Sequence, residues 1–157
     1  MTDRRFRFGV HTSDAADGAT WASHARRIEG LPLSVELLRN TATISKYMRR
    51  ADLVFTSAGR TVYEVASLGT PLIVLAQNAR ELHHNFARAE NGIVNLGLGS
   101  ELSDAAIAAS YQSLAGDLAL RQRCASLMRR HDLRHGMDNI LRLIFSRYES
   151  FRTLGAR

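Results

Sequence analysis

The sequence predicts an α/β protein, a parallel sheet with covering helices, and three observations carry that prediction. Apolar runs without polar alternation, LVF at 53–55 and LIVL at 72–75, are what strands covered on both faces require. Amphipathic stretches alternate with such runs between Leu33 and Leu96, the order expected of parallel strands joined by right-handed crossovers. From Ser103 onward the pattern is helix only.

Taken in order, Phe6–His11 predicts a strand, and Ala15–Ile28 a helix with Trp21 and Ile28 on its buried side. Leu33–Leu38 predicts a strand, Ile44–Arg50 a short helix, and Asp52–Thr56 a further strand. Thr61–Leu68 follows as a helix, which Gly69-Thr70-Pro71 stops before a strand over Pro71–Ala76. Glu81–Glu90 reads as a helix and Ile93–Leu96 as a strand. Ser103 and Asp104 supply a cap and a first-turn acid for a helix that Gly116 ends, and Asp117 caps the next, LALRQRCASLMRR. The run from Arg129 to Gly136 reads as a solvated loop, after which Gly136 sets off MDNILRLIFSRYESF. With no internal repeat, low-complexity tract or Pro/Ser linker, residues 1–157 form one predicted domain.

Composition sets the bounds. A chain of 157 residues with 45% hydrophobic residues and two prolines has the apolar material for one core. Disorder, a disulfide-stapled mini-protein and a multi-domain enzyme are thereby disfavoured. The formal charge of +6 comes from 21 Lys and Arg, of which Lys46 alone is lysine, and the arginines are spread along the whole chain. A backbone-tracking nucleic-acid patch needs clustering, so nucleic-acid binding is the weakest reading; a basic face toward a membrane or an acidic ligand stays open. Cys124 is the sole cysteine, which excludes an internal disulfide or a Cys-rich zinc site and leaves it as a small core residue. No window approaches the ~18 consecutive apolar residues of a membrane span, and the N-terminus lacks a signal-peptide run, so a cytoplasmic protein is expected.

The stretch that carries chemistry is DLVFTSAGRTVYEVASLGTPLIVLAQNARELHHN, Asp52 to Asn85. A strand ending at Thr56, the small-residue turn Ser57-Ala58-Gly59, and a helix opening near Arg60-Thr61 would aim unpaired N–H groups and a helix dipole at one spot. Such a spot favours a phosphate, and small residues let a diphosphate approach the backbone. Ser57 and Thr61 add hydroxyls and Arg60 a fixed charge. The motif is neither a P-loop nor a GxGxxG fingerprint, and a well-capped structural turn reads equally well. Glu64, three residues after Thr61, is placed to accept ribose hydroxyls, or simply to complement the helix dipole. His83 and His84, adjacent on a helix, point about 100° apart and do not suit a shared metal, so no metal site is expected.

The run MRRADLVFTSAGRTVYEVASLGTPLIVLAQNARELHHNFARAENGIVNLG closely resembles the C-terminal nucleotide-binding half of GT-B fold proteins. The nearest group is the SpsG-like spore-coat polysaccharide proteins, related to the nucleotide-sugar hydrolase of pseudaminic acid synthesis. More distantly it is similar to the glycosyltransferase family 28 C-terminal domain. The segments AD, SAGRT, E, GTP, QN, REL-H and ENG occur in the expected order between Leu33 and Leu98. The resemblance implies a Rossmann-like layer holding the UDP part of a nucleotide sugar, with no cofactor. Ser57, Ala58, Gly59, Arg60 and Thr61 would then line the diphosphate, and Glu64 would bind the ribose. Thr43 and Ile44 match the segment that contacts uracil; Gln77, Asn78, His84 and Asn85 fall where the following loop meets the sugar or a facing domain. Loops at the carboxyl ends of parallel strands are where open α/β sheets bind ligands.

The GG-x-D turn that usually opens this half has only HTSDAADG as a counterpart, and the half that supplies the acceptor site and base in such proteins is not recognisable here. A shortened C-terminal half is therefore expected: a fragment of a longer enzyme, or a chain acting with a separate N-terminal half or as a homo-oligomer. The alternative is a non-catalytic interaction module that retains the fold.

Overall fold

Every strand pairing among the described residues is parallel, in line with the apolar runs LVF and LIVL of the later sheet. A computed structural model describes residues 7–12, 18–29, 34–39 and 41–154, and its contacts divide the chain into two units, Met1–Tyr47 and Met48–Arg157. In the first unit β1 (Arg7–Thr12) pairs with β2 (Ser34–Arg39) from Arg7↔Ser34 to Thr12↔Arg39, with α1 (Gly18–Glu29) between them in sequence. Trp21 and Ile28 of α1 are half-buried. The start of the predicted helix at Ala15 and most of the HTSDAADG turn fall outside the described residues. The short helix α2 (Ile44–Arg50) lies where predicted.

The second unit is built on a three-stranded sheet in the order β3 (Val54–Thr56), β4 (Leu72–Ala76), β5 (Val94–Leu98). Its register runs Val54↔Leu72 to Thr56↔Val74 and Ile73↔Val94 to Ala76↔Leu98. β3 and β4 are shorter than the predicted spans 52–56 and 71–76, and Pro71, which has no N–H to give the ladder, accepts from Val54 N–H at 2.9 Å. Between Val74↔Asn95 and Ala76↔Leu98 the register slips by one residue. Gly97 makes that bulge possible at φ +86, and its N–H donates to Asn95 Oδ1 at 3.0 Å.

The core of this unit forms around β4. Leu72, Ile73 and Val74 are buried together with Val62, Val65 and Ala66 of α3 (Thr61–Leu68), and with Ile93 ahead of β5. Two helices cover this core, α4 (Asp104–Gly116) through Leu114 and α5 (Leu118–Arg129) through Cys124, Ala125 and Met128. Their boundaries follow local chemistry: Ser103 Oγ accepts Ala106 N–H at 3.2 Å and Asp117 Oδ1 accepts Leu120 N–H at 2.8 Å. The last helix, α6 (Gly136–Leu154), differs, since Met137, Ile140, Leu141, Ile144, Phe145 and Tyr148 repeat at helical spacing and are all exposed. Before it, Asp132 takes a left-handed φ of 47°, and the His135 ring nitrogen 2.6 Å from its Oδ1 holds its carboxyl below the usual range. No described helix is long and apolar enough to cross a membrane.

Burial pushes the Cys124 thiol above its ordinary value. Because the folded state then holds the proton more tightly, this group's stabilising contribution is present below the unfolded thiol value near ~8.5 and is lost as pH rises through the folded one. A thiol-reactive dye at pH near ~8 is expected to label native protein at least about tenfold more slowly than urea-unfolded protein. Equal rates would show that the thiol is not enclosed beneath α5.

Candidate functional site

The turn after β3 is the centre of the candidate site. Thr56 ends the strand, and the Ala58 methyl is buried at 2% exposure, which turns the chain so that α3 opens at Thr61. No side chain caps α3: Arg60 stands at the cap position with helical dihedrals and makes no side-chain cap bond. Bonds from Val62 N–H to Gly59 O at 3.2 Å and from Tyr63 N–H to Arg60 O at 3.0 Å tighten the first turn. The N–H groups of Gly59, Arg60 and Thr61 donate to no described group, so three helix-start donors remain open.

Ala58 N–H has a partner that the sequence did not disclose. It donates to Glu81 Oε2 at 3.1 Å, and Gln77 N–H donates to the same oxygen at 2.9 Å. A carboxylate from the loop after β4 thus occupies the backbone donors where a phosphate was expected, and ties the carboxyl ends of β3 and β4 together. Asn78 holds Glu81 in place, its Oδ1 accepting Glu81 N–H at 3.2 Å. The spacing Asn78-x-x-Glu81 is legible as a capping box. Its departure from that motif, with the carboxylate reaching 23 residues back to Ala58, is not.

The helix predicted over Glu81–Glu90 is absent. In its place stand a 3₁₀ turn at Ala79–His83 and another at Ala89–Asn91. Asparagine side chains explain the change by competing for the backbone: Asn91 Nδ2 donates to Phe86 O at 2.8 Å and Asn95 Nδ2 to Ala87 O at 2.9 Å. His84 packs its ring against Tyr63 of α3 at 5.1 Å, and its buried Nδ1 has no hydrogen-bond partner among the described residues. The Asn85 amide oxygen is taken by Arg88 Nη2 at 2.8 Å. Since these residues do not share an α-helix, the 100° separation expected of His83 and His84 does not apply.

Ser57–Thr61, Gln77 and Asn78 therefore meet at the carboxyl edge of the sheet, linked through Glu81. Glu64 lies one turn into α3, exposed, with no described partner for its carboxylate. His84 and Asn85 are engaged with Tyr63 and Arg88 instead. Thr43 and Ile44 belong to the first unit, where they lead into α2 and Thr43 O accepts Lys46 N–H at 3.1 Å.

Gly59 offers a further clue. Its φ is not in the left-handed region, and a Cβ there would meet only Ser57 Oγ at an ordinary 3.6 Å. Packing does not demand glycine, and the bare backbone leaves room for a ligand to approach closely. Gly59→Ala is expected to leave stability within about 0.5 kcal/mol of the parent while weakening binding of any anion at the turn. Paired urea melts and ligand titrations test both halves of that expectation. Compared with known proteins, the chain matches no family model and no curated protein.

Proposed function

We propose that the carboxyl edge of the β3–β4 layer binds the diphosphate of a nucleotide sugar, with UDP as the nucleotide. The supporting observation is the Ala58 turn, whose backbone already receives an anion, the Glu81 carboxylate, beside three open helix-start N–H groups. In this reading Ser57, Ala58, Gly59, Arg60 and Thr61 line the diphosphate, which displaces Glu81 from Ala58 N–H, and the Glu64 carboxylate accepts the ribose hydroxyls. The resemblance to the nucleotide-binding half of GT-B proteins supports the choice of UDP, and with it a cytoplasmic setting in surface-polysaccharide or nonulosonic-acid synthesis.

Chemistry at such a site would be departure of UDP with the electron pair of the anomeric C–O bond, its charge stabilised by the turn and Arg60. Water or a sugar hydroxyl would attack, giving its proton to a base from a second chain or an N-terminal half. Titration of UDP into the full chain by calorimetry tests the proposal. Glu64→Ala is expected to weaken binding by roughly tenfold or more, the worth of a hydrogen bond to a charged group. Absence of binding at roughly millimolar UDP, or binding indifferent to Glu64, would overturn it.

One observation favours a second reading. Glu81 satisfies Ala58 N–H without any ligand, as in a module that keeps the fold and uses it for interaction. A stable protein partner in purification, combined with indifference to all nucleotides, is the result that reading expects.

A further inference from the structure

At the opposite, amino edge of the same sheet, Arg49, Arg121 and Arg129 line one cavity of about 290 Å³ together with Asp52, Gly69 and Thr70. We infer that this cavity is a second anion site, one that takes a phosphate group carried by a small molecule or by a lipid head. Asp52 precedes β3 and Thr70 precedes β4, whereas the Ser57 and Gln77 loops follow these strands. At ~3.3 Å per residue the five residues of β4 separate the two edges by roughly 16 Å.

Each arginine reaches the cavity from a differently fixed position. Thr70, buried, donates its Oγ1 to Met48 O at 2.9 Å and so pins the backbone next to Arg49. Arg121 is anchored by Nη1, which donates to Leu114 O at 2.6 Å and Ala115 O at 2.7 Å at the end of α4. Arg129 lies over the turn that ends α3, its Nε 2.6 Å from where a Cβ on residue 69 would stand, so the side-chain-free Gly69 makes its room. Cations at helix ends are favourable in themselves, and that accounts for one face of Arg121 and of Arg129. The same holds for Arg49 in the last turn of α2, yet its side chain makes no hydrogen bond or ion pair among the described residues.

The charge balance is the decisive feature. Three arginines line the cavity with a single acidic residue, Asp52, and the one ion pair among the described residues is Asp132 with His135. A divalent anion would relieve the mutual repulsion of these cations, and forked guanidinium donors suit the oxygens of a phosphate. Size narrows the ligand further. Pockets for small-molecule ligands run from about 300 Å³ upward, so this one, at the lower bound, has room for a phosphate and a substituent.

Inorganic phosphate added to the ¹⁵N-labelled full chain is the direct probe, read at the Gly69, Thr70 and Gln122 amides. Those amides are expected to shift saturably at roughly millimolar phosphate. Arg49→Ala, at an exposed side chain without a described bond, should weaken the effect several-fold with the fold intact by circular dichroism. Arg129→Lys, which keeps the charge but loses the fork, should weaken it less than Arg129→Ala. Sedimentation with phosphatidic acid vesicles but not phosphatidylcholine vesicles, lost in Arg49→Ala, would identify the lipid as the source. Phosphate shifts without sedimentation would identify a soluble phosphate. No shift at these amides and no sedimentation, or shifts unchanged in both arginine variants, would overturn the inference. The outcome is independent of whether UDP binds at the other edge.

Discussion

Replacing Gly92 by alanine is expected to cost the fold about 2–5 kcal/mol, a large share of the stability of a domain this size. Two effects add. Gly92 closes the Ala89–Asn91 turn at φ +79, where a side chain costs about 1–2 kcal/mol, and a Cβ there would overlap the Cys124 backbone carbonyl of α5. A carbonyl inside a helix cannot swing aside, so either the turn or α5 must move. The bonds from Gly92 N–H to Ala89 O at 2.9 Å and from Ile93 N–H to Arg88 O at 3.2 Å are then at risk, along with the entry into β5. Gly69→Ala is the matched control. Its φ of +70 carries a similar backbone cost, but the obstructing atoms belong to the Arg129 side chain, which can move. Urea denaturation should rank Gly92→Ala well below Gly69→Ala in midpoint, and equal losses would mean that the contact between the turn and α5 is not rigid.

The second large effect concerns Glu81. Its carboxylate and a ligand diphosphate cannot both accept Ala58 N–H, so removing it by Glu81→Ala is expected to tighten UDP binding by roughly tenfold, about 1.4 kcal/mol. A hydrogen bond to a charged group is worth up to about 3 kcal/mol, but Glu81 is partly solvated, which favours the lower end. The same substitution frees Gln77 N–H and loosens the tie between the two loops, so faster hydrogen exchange at Ala58 and Gln77 should accompany it. Weaker UDP binding in Glu81→Ala would instead make Glu81 a positioning residue that shapes the turn for the ligand.

Local signals were legible in the sequence and long-range ones were not. The helix at Thr61–Leu68 and the Ser103 and Asp117 caps lie where the sequence places them, because each depends on residues within one turn of the boundary. The apolar run at 72–75 identified the central strand, since burial on both faces leaves no room for alternation. The segment after β4 defeated the periodicity reading. Leu82 and Phe86 fit a helical stripe, yet Leu82 is exposed, and asparagine bonds to nearby carbonyls break the helix into two 3₁₀ turns. At the candidate site the turn residues were readable from their size and spacing. The Glu81 contact was not, because it joins residues 23 apart through a carboxylate that any surface loop might carry. The stripe on α6 shows the converse limit: the segment is the helix expected, but the covering role expected of it is not seen, since its apolar face is exposed.

Whether the turn after β3 cradles the diphosphate of a nucleotide, as proposed, is read most directly from amide resonances. UDP added to the ¹⁵N-labelled chain should shift Gly59, Arg60 and Thr61 saturably and displace the Ala58 resonance from its Glu81-bonded position, at lower concentration in Glu81→Ala. Resonances at 58–61 that stay unmoved by UDP, even in Glu81→Ala, would contradict the account.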